Sequence, residues 1–173
     1  FDGDGRVDLA VANEMDHDVT ILFAPKAEGF GGRTEVPVSR FPSALAVLDA
    51  NMDGRYDLAA AGRVDDALGV LFATGAGFAP PEALPVGPAP QKTAVGDFDG
   101  DGLEDIAVAQ QDGGTVGVLL ADDNGGYAAR ADLSAGQAPG ALRAARLNGD
   151  ALDDLVVVNT GDDTVTVWYA EIG

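Results

Sequence analysis

In the stretch VGDFDGDGLEDIAVA, residues 95–109, four aspartates and two glycines fall within nine positions. Asp97, Asp99, Asp101 and Asp105 repel one another at that spacing, so the loop calls for an opposite charge among them. Side chains at its first, third and fifth positions can converge on one point. Gly102 permits the chain to curl sharply around that point, the carbonyl of Leu103 can add an oxygen, and Asp105 closes the cage. An all-oxygen set of about six to eight ligands suits a hard cation, Ca²⁺ better than Mg²⁺. The loop starts like an EF-hand loop, but its twelfth position is Val108 instead of a bidentate Glu, and an apolar strand follows where a helix would be needed.

Related loops occur elsewhere. The second offers Asp49, Asn51, Asp53 and Asp57, with Arg55 at the position of Leu103. The first shows Asp2, Asp4 and Asp8, with Arg6 at that position, and its first ligand position would precede residue 1. The fourth has Arg146 and Asn148 before Asp150 and Asp154, and Ala151 replaces Gly102. A guanidinium cannot ligate a cation. Arg146 is therefore expected to pair with Asp150 or Asp154 and hold the turn without metal. The expected order of affinity is loop three, then loop two, with loop four empty and loop one unranked.

The elements that must position these loops repeat. Asp8, Asp57, Asp105 and Asp154 are spaced by 49, 48 and 49 residues. Pro42, Pro90 and Pro139 each lie seven residues before the first position of a loop. Phe23, Phe72, Leu120 and Tyr169 end four apolar runs, and Gly29-Phe30, Gly77-Phe78 and Gly126-Tyr127 follow three of them. Each unit reads as short strands, A to D. Strand A is ALAVLD, TAVGDF or LRAARL, and it leads into the acidic loop. Strand B is DLAVAN, DLAAAG, DIAVAQ or DLVVVN; strand C is VTILFA, LGVLFA, VGVLLA or VTVWYA. Strand D is TEVPV, EALPV or YAARADL. Strands B and C are apolar at nearly every residue, which predicts burial on both faces. No helical period appears. Four strands per repeat of about 48 residues predict an all-β chain, a β-propeller of four-stranded antiparallel blades. A β-sandwich would not need this self-similarity. The expected domain is a single partial propeller over 1–173, with repeats at about 1–41, 42–89, 90–138 and 139–173. It is expected to hold about three and a half to four blades of a larger ring, a compact four-bladed ring being the alternative. The expected strand count is 3 + 4 + 4 + 3 = 14.

Composition sets further bounds. Of 173 residues 46% are hydrophobic, enough for a core, while 24 Gly and 9 Pro supply turns. The net charge of −19 comes mostly from Asp, a turn and metal residue, and argues against nucleic acid and anionic membrane as partners. No apolar run is long enough for membrane insertion. There is no cysteine, so neither disulfide nor thiolate chemistry is available.

The DFDGDGLEDIAVA core, repeated at this period with the GF and GY pairs, resembles the FG-GAP/VCBS-type repeat, the calcium-loop blade of integrin α-subunit propellers and many secreted proteins. The resemblance covers essentially the whole chain. It implies Ca²⁺ in the loop between strands A and B, and a secreted or cell-surface setting. The expected function is a calcium-binding module for extracellular recognition, binding glycan or protein in the manner of adhesion and carbohydrate-binding propellers. The alternative is a non-catalytic accessory domain of a larger secreted enzyme. Missing blades would come from further sequence or from a second copy. No enzyme site is expected. Ser39, Ser43 and Ser134 have no aligned histidine, and the cation loops account for the paired carboxylates. His17 reads as a surface turn residue, since its column holds Asp66, Gly114 and Asp163. Trp168 reads as core, in a column with Leu22, Leu71 and Leu119.

Overall fold

The structure, a computed structural model, describes residues 1–25, 29–129 and 132–171. Four antiparallel sheets follow one another along the chain. The first holds β1 (Leu9–Asn13), β2 (Asp18–Phe23) and β3 (Gly32–Pro37). The second holds β4 (Pro42–Leu48), β5 (Asp57–Gly62), β6 (Ala67–Leu71) and β7 (Glu82–Pro85). The third holds β8 (Pro90–Gly96), β9 (Asp105–Gln110), β10 (Thr115–Ala121), β11 (Tyr127–Ala129) and β12 (Leu133–Ser134). The fourth holds β13 (Pro139–Ala145), β14 (Asp154–Asn159) and β15 (Thr164–Trp168). These are propeller blades, with strands paired in sequence order. Among the described residues there is no helix, and so none long and apolar enough to cross a membrane.

Fifteen strands are described where the sequence predicts fourteen. The extra one comes from the outer strand of the third blade. Both β11 and β12 pair with β10, at opposite ends of it. Residues 130–131 between them lie outside the described set.

The blades stack through apolar faces. Ala10, Val19, Ile21 and Val36 of blade one meet Leu58, Ala60 and Leu71 of blade two. The same columns recur one blade on: Ala59, Ala61, Leu68 and Val70 meet Ile106, Val108 and Leu119. They recur again where Ala107, Ala109, Val116 and Val118 meet Leu155 and Val157. The alanines let adjacent sheets approach closely while the leucines and valines fill the space between them. Burial on both faces holds for β5 and β9 throughout. It fails for β1 and β15, each of which has one uncovered face.

Each inner strand opens the same way. Phe41, Ala89 and Ala138, the residues before the three prolines, have φ of 55°, 52° and 49°. That geometry turns their carbonyls to accept the N–H of Arg63, Gln111 and Thr160 at 3.2, 3.0 and 3.0 Å. A register shift follows at each proline, which has no N–H to give the ladder.

Stacking this close should reject added volume. Ala107→Leu, between blades three and four, is expected to cost about 1–3 kcal/mol through overpacking. Urea denaturation measures it, and an unchanged midpoint would show that the interface is loose.

Candidate metal loops

Every blade carries an aspartate at the same position, closing the acidic loop. Asp57, Asp105 and Asp154 are fully buried, and Asp8 is partly buried. In the three fully buried ones, one oxygen accepts an N–H from seven residues earlier and the other from sixteen residues later. For Asp105 the donors are Phe98 N and Ala121 N, both at 2.8 Å. Asp57 takes Ala50 N at 3.0 Å and Ala73 N at 2.7 Å. Asp154 takes Leu147 N at 2.7 Å and Ala170 N at 3.0 Å. Asp8 takes Ala24 N at 2.8 Å, while its other oxygen meets the terminal ammonium of Phe1 at 2.6 Å, so the loop donor of the other blades is not matched there. The donors are the second residue of the acidic loop and the residue at or just past the end of strand C. One side chain therefore ties the loop to the sheet, and the last acid of the loop is a structural staple as well as a candidate ligand.

In loop three, single carboxylate oxygens of Asp97, Asp99 and Asp105 lie within 4.8 Å of one another. Among the described residues no other group of three His, Asp or Glu side chains meets that closeness. Burial pushes the Asp105 carboxyl up to about 6, against the pull of its two backbone N–H donors and with the help of the Asp99 and Asp101 charges. Asp57 is raised for the same first reason, burial. These hard oxygen donors, set against uncompensated negative charge, are the donor chemistry a calcium ion takes. Asp101 lies in the same loop, and its Oδ1 accepts Leu103 N at 2.8 Å. Asp97 accepts Gly100 N at 2.7 Å and Gly102 N at 3.2 Å, which curls the loop around it. Gly100 and Gly102 have φ of 85° and 87°.

The other loops vary on this plan. Loop two has Met52 and Gly54 at φ 58° and 82°, so a methionine stands where the other loops place glycine. Asp49 accepts Asp53 N and Gly54 N at 3.0 and 2.9 Å, and Asn51 accepts Asp53 N at 3.1 Å. Asp53 is paired with the Arg55 guanidinium at 2.7 Å. In loop one Asp2 accepts Asp4 N, and Asp4 is paired with Arg6. Arg6 also donates from Nε to Ala24 O at 2.7 Å. The sequence reading treated Arg6 and Arg55 only as counterparts of Leu103. The structure adds that their side chains pair with the fifth-position carboxylate, which Leu103 cannot do.

Loop four departs from the expectation in one respect. Arg146 does not pair with Asp150 or Asp154; its Nε lies 3.6 Å from Asp153 Oδ1. Asp154 is held by its two backbone donors, and Asp150 by Asn148 Nδ2 at 2.7 Å. Only Gly149 is left-handed there, at φ 87°, because Ala151 has taken the place of the second glycine.

The eighth loop position also matters, and the sequence reading missed it. Glu104 Oε2 accepts Asp49 N at 2.7 Å, reaching from loop three to loop two. Asp153 does the same from loop four to loop three, accepting Asp97 N at 3.1 Å while donating its own N–H to Asp97 O at 3.0 Å. Gly96 makes room for this approach: a Cβ there would sit 2.8 Å from that of Asp153. The signal was an acid at position eight of loops three and four only.

His17 is more than a surface turn residue. It adopts φ 61°, stacks edge-on with Phe41 at 4.7 Å, and its Nδ1 accepts Phe41 N at 3.2 Å. Its column mates Asp66, Gly114 and Asp163 have φ of 51°, 60° and 56°. Trp168 packs against the core between blades three and four, on the wall of a cavity of about 200 Å³ shared with Phe98, Val118, Leu133 and Leu155.

Two outcomes follow from this geometry. Asp154→Ala leaves two N–H groups without their charged acceptor, in a loop outside the acidic trio, and should cost about 2–4 kcal/mol. Chemical denaturation measures this, and a loss under about 0.5 kcal/mol would remove the staple from the account. Arg55→Leu should raise the cation affinity of loop two by a few-fold, the scale of an exposed ion pair. Calorimetric calcium titration reads it, and an unchanged or weaker site would show that Arg55 does not compete.

Among curated proteins nothing matches this chain. Among solved structures, the chain superposes on BBS1N, crystallised in complex with ARL6DN, with a TM-score of 0.64 at 15% identity. That alignment covers 98% of this chain and 55% of the other. A protein from Lactobacillus plantarum superposes with a TM-score of 0.49 at 12% identity, over 90% of this chain and 48% of that one. The chain thus spans about half the length of each. The model of the FG-GAP-like repeat matches residues 1–60, 49–108 and 97–157, in windows that each run from one acidic loop past the next. The chain belongs to the FG-GAP-like repeat family.

Proposed function

We infer that this protein is a calcium-stabilised β-propeller module for extracellular recognition, binding a protein or glycan ligand through the loops at its acidic end. The observation that carries the reading is the closeness of Asp97, Asp99 and Asp105, with the buried carboxyl among them raised to about 6. Asp97, Asp99 and Asp105, with Asp101 and the carbonyl of Leu103, would hold the ion; Asp49, Asn51, Asp53 and Asp57 would form a weaker second site. The bound ion would supply positive charge where the chain has none and fix the loop that carries it. A ligand offering its own carboxylate or hydroxyl oxygens could then meet a rigid, charge-balanced rim. The fold relative BBS1N was crystallised with a protein partner, ARL6DN, which favours a protein as the ligand class here.

Calorimetric titration with CaCl₂ tests this, comparing the parent with Asp99→Ala and Asp150→Ala. The expected result is loss of the tightest site in Asp99→Ala, its retention in Asp150→Ala, and a melting temperature that falls in chelator and returns with calcium. No heat of binding at millimolar calcium, or equal losses in both variants, would overturn the reading.

A further inference from the structure

Asparagine is thermolabile because the backbone nitrogen of the next residue can attack its side-chain amide carbon. A glycine in that next position offers the nitrogen with the least steric cover. The chain has two such sequences, Asn124-Gly125 and Asn148-Gly149, while Asn13, Asn51 and Asn159 are followed by Glu14, Met52 and Thr160. The structure separates the two. Gly125 N is occupied, donating to Asp122 O at 2.9 Å. Gly125 is also crowded, since a Cβ there would lie 3.2 Å from Asn51 Cα.

Gly149 N differs. Among the described residues no acceptor meets it, and the reason is Arg146. In loop three the equivalent nitrogen, Gly100 N, donates to Asp97 Oδ1 at 2.7 Å. Loop four has Arg146 in place of that carboxylate. Gly149 is left-handed at φ 87°, and nothing lies within 4 Å of where its Cβ would be. The amide it would attack is prepared as well. Asn148 Oδ1 accepts Asp150 N at 3.0 Å, a donor placed to stabilise the negative charge that builds on this oxygen during attack. Asn148 Nδ2 donates to Asp150 Oδ2 at 2.7 Å, and Asp150 Oδ1 accepts Leu152 N at 2.9 Å, which fixes a carboxylate beside the leaving nitrogen. Both Asn148 and Gly149 are exposed to water.

We propose that Asn148 is a site of spontaneous deamidation, which adds a carboxylate to loop four. Gly149 N gives up its proton and bonds to Asn148 Cγ. The Cγ–Nδ2 bond breaks, and Nδ2 takes up that proton and leaves as ammonia. Water then opens the cyclic imide at one of its two carbonyls, to aspartate or to isoaspartate. In sum, the amide and one water become a carboxylate and an ammonium ion. Asn148 holds the third loop position, where loop three has Asp99 and loop one has Asp2. The reaction therefore removes the donor to Asp150 and sets a like charge beside it, which loosens this turn. It also gives loop four acids at the third, fifth and ninth positions, the set that loop one carries as Asp2, Asp4 and Asp8.

Peptide mapping by mass spectrometry, after incubation of the folded chain in mildly alkaline buffer, tests this. The same chain in denaturant serves as the reference. In the folded chain Asn148 should convert several-fold faster than Asn124, to a mixture of aspartate and isoaspartate. In denaturant, where Gly125 N is released, the two should convert at similar rates. Arg146→Asp returns to Gly149 N the acceptor that Gly100 N has in loop three, and should slow conversion at Asn148 several-fold. The comparison of Asn148 with Asn124 needs no variant, so it decides even if Arg146→Asp misfolds. Conversion at Asn124 as fast as at Asn148 in the folded chain would overturn the proposal. So would an unchanged rate at Asn148 in folded Arg146→Asp.

Discussion

A carboxylate buried between two backbone N–H groups is the constraint on which the rest of this molecule depends. A charged group out of water is costly unless its hydrogen bonds are made. Here they are made by one donor from the loop and one from the far end of the sheet at Asp57, Asp105 and Asp154, and by the far-end donor at the partly buried Asp8. Asp57, Asp105 and Asp154 thereby fix where their acidic loops begin and where each strand C ends. Moving either end would strand a buried charge, so the loop cannot slide relative to the blade.

That constraint also explains why acidic side chains can gather at Asp97 and Asp99. The sheet holds Asp105 in place, and the loop turns back over it through Gly100 and Gly102. Neighbouring loops are then joined by Glu104 and Asp153, each capping the first residue of the loop before it. The acidic rim is a connected series, and its members differ in what faces the fifth-position carboxylate: Arg6, Arg55, Leu103 or Leu152. Where that residue is arginine, positive charge is already present. Where it is Leu103, the carboxylates have only one another.

Much of this was legible in the sequence. The 48- to 49-residue period, the strand order and the apolar columns follow from residue types alone, because propeller blades are built from local pairings and each column repeats. What escaped is instructive. The column of His17, Asp66, Gly114 and Asp163 shares a left-handed backbone, but its four members include three residue types, so no single signal marks it. The staple role of Asp105 could not be separated from its candidate role as a ligand, since the donor Ala121 contributes only a backbone N–H. Arg146 was expected to point into its own loop. It lies instead beside Asp153, whose carboxylate is already turned toward loop three, a relation visible only once blades three and four are side by side.

Native-state amide hydrogen exchange reads the central claim most directly. The N–H groups of Ala73, Ala121 and Ala170 sit at or just beyond strand ends, where fraying normally gives fast exchange. Bonded to buried carboxylates, they should instead exchange only through global unfolding, with protection matching that of Val108 and Val157 in the blade centres. Exchange as fast as that of the neighbouring turn amides, such as Asn124, would show that the aspartates do not hold the blades together.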